Sequence, residues 1–196
     1  MYKRLADDPS THITLVNVIQ AITLATLVYS LNLRIDHIFT YPEFLLSLAS
    51  LFIIIIVWIR FLVMTPYERP FSGIGHTLYF FLGVAENIAM YNYSKPVIWA
   101  ISVGFIAAFA AITHLNFLAN AKIIQFSGDG DKLVKYKKQE KEALYLWMIP
   151  LALFMWIFAW VLSQRPNQTT LFQIIAFVII TLLWLRTLMI SRESRL

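Results

Sequence analysis

The chain contains no cysteine. That removes disulfides, thiolate metal sites, iron–sulfur clusters and cysteine nucleophiles together. Charge is also scarce: Asp, Glu, Lys and Arg make up 14% of 196 residues, while 59% are hydrophobic. A soluble domain carries about a quarter charged residues, because a hydrated surface must cover its core. With a mean hydropathy of +0.68, this chain cannot cover its apolar surface with its own polar groups, so part of its solvent must be lipid. No nucleophile–base–acid set, phosphate loop, paired carboxylates or metal-ligand cluster is visible. The sequence therefore argues against an enzyme and implies no cofactor. The net charge of +5 would suggest acidic partners in a soluble protein. In a membrane protein its distribution matters more than its sum, and direct nucleic-acid binding is not expected.

What the chain does have is long apolar runs. A bilayer core needs about 20 mostly apolar helical residues, and six windows meet or approach that length: 13–33, 43–64, 71–93, 97–121, 143–163 and 170–190. The expected fold is an all-α polytopic transmembrane bundle of about six spans, forming one domain over 1–196. Prolines fall in the connections except Pro150, which sits in the fifth window. It should kink that helix and leave the Leu146 carbonyl to find another partner. The third and fourth windows carry His76, Glu86, Asn87, His114, Asn116 and Asn120, so they could be shorter or re-entrant. Losing both would leave four spans.

Lys and Arg set the orientation. With the N-terminus inside, only Arg34, Lys95 and Arg165 fall outside, leaving 13 of the 16 basic residues inside. This bias requires an even number of spans and places both termini in the cytoplasm. Trp58, Trp99, Trp147, Trp160 and Trp184 fall near predicted helix ends, where indole rings favour the headgroup level.

Glu86 is the only acid deep in a predicted span. A carboxylate there must be neutral, paired or hydrated, so it is a candidate cation site, proton relay or gate, or a packing carboxyl. Helical spacing gives it a face with Tyr79, Gly83, Met90 and Tyr93. His76 and His114 are expected at similar depth on adjacent antiparallel helices. Two imidazoles are too few for a metal site without a further ligand, and hydrogen-bonded interface histidines are the expectation. Asn17 and Gln20 on the first helix, with Asn116 on the fourth, form uncharged polar stripes that either line a wet path or bond helix to helix. Ser30 projects from nearly the opposite side of the first helix. Gly104, Ala107, Ala108 and Ala111 suit close helix contact.

The longest polar stretch is the inner loop 122–142. Gly128 to Asp131 reads as a turn. The run after it holds Lys132, Lys135, Lys137, Lys138 and Lys141, and it is expected to be helical and to run into the fifth span. Its charge suits anionic lipid headgroups or an acidic cytosolic protein.

Six short helices with both ends inside make a layout similar to that of the small bacterial relatives of the lysosomal potassium channels. That family carries Arg-x-x-x-Phe-Ser-Asp on its first helix. Here the first helix reads Ile13-Thr14-Leu15-Val16-Asn17-Val18-Ile19-Gln20, so the resemblance is of layout and transfers no residue.

Two functions follow as expectations. One is a non-enzymatic, homo-oligomeric subunit of the bilayer, in a bacterial inner membrane, that anchors or signals to a cytosolic partner through the basic loop. Two-component systems such as anti-phage defence use subunits of this kind. The other is an ion channel or proton-coupled carrier using Glu86 and the polar faces of the first, third and fourth helices.

Overall fold

The computed structural model describes residues 9–34, 43–64, 73–120 and 130–195. Among them every regular element is helical: α1 (Pro9–Asn32), α2 (Glu43–Met64), α3 (Gly73–Tyr91), α4 (Pro96–Asn120), α5 (Gly130–Ala143), α6 (Ile149–Gln164) and α7 (Thr169–Arg195). A π-helical turn, Leu144–Met148, joins α5 to α6 without a break, and a 3₁₀ turn, Pro166–Gln168, joins α6 to α7.

Five described segments are long and apolar enough to cross a membrane: Ile13–Asn32, Glu43–Leu62, Pro96–Asn116, Lys137–Gln164 and Pro166–Ser191. Exposed Phe80, Ile157, Trp160, Leu171 and Met189 cover the outside of the bundle with large apolar side chains, a surface suited to lipid. The chain is a multi-pass membrane protein. Helix α3 is not among the five, yet it lies lengthwise along α1, from Gly83 beside Ile19 to Tyr91 beside Ser30. The two helices run in the same direction.

Small residues set the closest approaches. A Cβ on Gly83 would stand 2.6 Å from Ile19 Cγ2, and one on Gly104 would stand 2.3 Å from Trp156 Nε1. Gly104, with buried Ala107 and Ala111, therefore seats α6 against α4. Lipid tails are as apolar as leucine, so contact of this kind, rather than exclusion from water, holds such helices together.

Proline explains the π turn. Pro150 has no N–H for the Leu146 carbonyl. Just before it the Ile149 N–H reaches back five residues to the Leu144 carbonyl, which widens the turn. The predicted interruption is present as a π turn within one continuous helix.

Several expectations need correction. The basic run is helical and continues into the fifth span as expected, but α5 starts at Gly130, inside the expected turn; 121–129 lie outside the described residues. Trp99 is at a helix end but faces into the bundle rather than outward: it is 0% exposed and its Nε1 donates to Ser50 Oγ at 2.9 Å. Trp184 stacks on Phe52, with ring centroids 4.6 Å apart. Ser30 is not turned away from the partners of Gln20, since both face α3.

Candidate functional site

Three buried stripes converge at one end of the bundle. On α2 the buried positions run Leu46, Ser50, Ile53, Val57 and Arg60; on α4 they run Ala100, Val103, Ala107, Ala111 and His114. Along α5 and α6 Glu140 begins the series that continues through Leu144, Ala152 and Met155. Steps of three and four residues keep the first two series on one face, and the third resumes at Ala152 after the π turn. The member of each stripe at this end of the bundle is ionisable, Arg60, His114 and Glu140, and the three meet.

Glu140 is completely buried and is the hub. Arg60 Nη1 donates to its Oε1, and its Oε2 lies 2.6 Å from His114 Nε2. His114 Nδ1 lies 2.8 Å from the Ala110 carbonyl, which can only accept, so Nδ1 carries a proton. Arg60 is 10% exposed at its side chain, and its Nε meets no acceptor among the described residues.

Above this triad lies a cavity of about 90 Å³ whose walls are almost wholly apolar, drawn from α2, α4, α6, α7, the π turn and the last residue of α5, Ala143. Arg60 and Arg186 line its triad end. Arg186 lies over the Trp147 ring at 5.3 Å, within cation–π range. Its acidic neighbour is distant: Glu142 Oε2 is 3.8 Å from Nη2.

The second polar locus joins α1 to α3. Gln20 Nε2 donates to Glu86 Oε2 at 3.0 Å, inside an interface where Glu86 is fully buried. Further along, Asn87 Nδ2 donates to Thr23 Oγ1 (3.2 Å), the Thr26 hydroxyl to Asn87 Oδ1 (2.6 Å), and the Ser30 hydroxyl to the Tyr91 carbonyl (3.0 Å). Interhelical bonds of this type contribute about 0.6 kcal/mol each, so the ladder acts as an additive fastener. Neither cavity described between the helices is lined by Glu86.

The structure brings Glu86 and Gln20 together, and the expected face of Tyr79, Gly83, Glu86, Met90 and Tyr93 is buried as a unit. Asn17 diverges from Gln20: its Oδ1 accepts from Trp58 Nε1 on α2 at 3.1 Å. Asn116 is half-buried near the end of α4. His114 does not offer a ring nitrogen to a partner histidine, since both nitrogens face Glu140 and Ala110. The side chain of His76 lies outside the described residues. So do those of Lys132 and Lys135, whereas Lys138 and Lys141 are exposed and Lys137 is half-buried on α5.

Sequence reasoning missed Arg60 and Glu140, assigning one to topology and the other to a basic loop. The signal was phase: each sits where the next buried residue of its helix is due. No protein family, curated protein or solved structure matches this chain.

Proposed function

We propose that this chain is a non-enzymatic membrane subunit, with six spans and both termini in the cytoplasm, that presents α5 to a cytosolic protein partner. One observation carries the reading. The basic helix α5 continues through the π turn into α6, and its root is fixed by Glu140 to α2 and α4. A contact made on α5 is therefore mechanically tied to the helices that enclose the Arg60–Glu140–His114 triad. π turns recur at functional positions because they re-aim the side chains around them. Exposed Lys138 and Lys141 supply the complementary charge for an acidic surface.

A photo-crosslinking side chain at Lys138, in native membranes, should form a discrete adduct with a soluble protein, and Lys141→Glu should abolish it. Adducts to lipid alone would remove the reading.

The channel or carrier reading has one observation in its favour: Glu86 Oε1 and Gln20 Oε1 are buried with no partner among the described residues. Such atoms suit a transferable proton or a passing ion. Reconstituted protein should then conduct, and Glu86→Gln should change the flux. Absence of flux in both proteins would dismiss it.

A further inference from the structure

We propose that the cavity above the triad is a binding site for an anionic phospholipid, which seats a stretch of acyl chain among the apolar walls and its phosphate on Arg186 and Arg60. The order of the lining carries the idea. At one end are two guanidinium groups and Thr187; deeper along the same two helices are Ile53 and Ile180, with Val103 of α4 beside them. From Arg60 to Ile53 is two helical turns, roughly 10 Å. A lipid of the leaflet at that end has the same order, with charge at the surface and hydrocarbon beneath.

The two arginines are also incompletely used. Arg60 is nine-tenths buried, shares Glu140 with His114, and keeps an Nε with no acceptor among the described residues. Among the described residues Arg186 has one acidic partner, Glu142 at 3.8 Å, and Glu142 is itself half exposed. A phosphate accepts from several guanidinium N–H groups at once, in bidentate geometry that lysine cannot supply. Trp147 backs the Arg186 guanidinium and leaves its edge for the anion.

Size limits the occupant. An apolar cavity of about 150 Å³ holds one benzene, so about 90 Å³ holds a short stretch of one chain, with the rest of the lipid along the outside of the bundle. The site is separate from the lysines of α5 and does not depend on α5 binding a protein.

The test is native mass spectrometry of the full chain in detergent, titrated with phosphatidylglycerol and phosphatidylcholine of identical chains. Phosphatidylglycerol should bind at least tenfold more tightly. Arg186→Gln should cut that affinity fivefold or more and leave phosphatidylcholine unchanged. Ala107→Leu and Ala110→Leu fill the lumen without altering charge, and each should weaken phosphatidylglycerol to a similar degree. Lys138→Gln should have little effect. Equal binding of the two lipids by the native chain overturns the proposal, and that comparison needs no variant to fold. So do competition by inorganic phosphate at the lipid's own concentration, unchanged binding in folded lumen variants, and a loss confined to Lys138→Gln.

Discussion

Glu140→Leu is the most informative single change. Glu140 has no exposed surface, and Arg60 is 10% exposed at its side chain. Removing the carboxylate strands a guanidinium that has no other bond to an acidic group at Nη1 and none at all at Nε among the described residues. Breaking a buried pair by deleting one partner costs about 3–5 kcal/mol. For a chain of this size that corresponds to a drop in melting temperature of roughly 6–20 °C. Thermal unfolding in a fixed detergent, followed by far-UV circular dichroism, reads it directly. Arg60→Met should be similarly damaging because it leaves the acid buried. The double variant, Arg60→Met with Glu140→Leu, should recover most of the loss. Replacing an entire buried pair by apolar side chains of similar volume is often neutral or stabilising by about 1–4 kcal/mol. If Glu140→Leu lowers stability by no more than an ordinary surface change, about 0.5 kcal/mol, the triad is not a buried, closed network. If the double variant merely sums the two single losses, the two residues are not coupled.

Other expectations follow from the packing. Gly104→Ala drives a Cβ to 2.3 Å from the rigid Trp156 indole, and overpacking of this kind should cost about 1–3 kcal/mol in the same melting assay, with relief by Trp156→Leu. Glu86→Leu strands the Gln20 amide and should cost about 1–3 kcal/mol. Glu86→Gln keeps an acceptor for Gln20 and should cost less. Trp99→Phe leaves the Ser50 hydroxyl without its buried donor, and the melt should show a loss of about 1 kcal/mol; Ser50→Ala on top of it should add little.

The helices were legible because apolar length and proline position act locally. The windows 43–64 and 97–121 differ from α2 and α4 by no more than one residue at either end. The fifth span was legible too, even to the interruption at Pro150, since a missing N–H frees the carbonyl four residues back and the neighbouring Ile149 N–H takes up a π bond to Leu144. The triad was harder. Arg60, His114 and Glu140 lie on three helices, and their meeting depends on rotation of α2, α4 and α5 about their axes. A charge count treats Arg60 as loop-side and Glu140 as one acid in a basic run. Only the continuation of each buried stripe marks them. Glu86 was conspicuous as a lone acid, but its partner was not, because Gln20 looked like one member of a stripe shared with Asn17. The two side chains in fact part, one to α3 and the other to α2.

The most direct measurement of the membrane architecture uses the missing cysteine. Single cysteines can be placed at Lys95, Lys138 and Arg165 in an otherwise unreactive chain, then exposed to a membrane-impermeant maleimide in intact cells. Six spans with cytoplasmic termini predict labelling at Lys95→Cys and Arg165→Cys, with Lys138→Cys protected until the membrane is opened. Labelling of Lys138→Cys from outside, or protection of Lys95→Cys, would contradict the account.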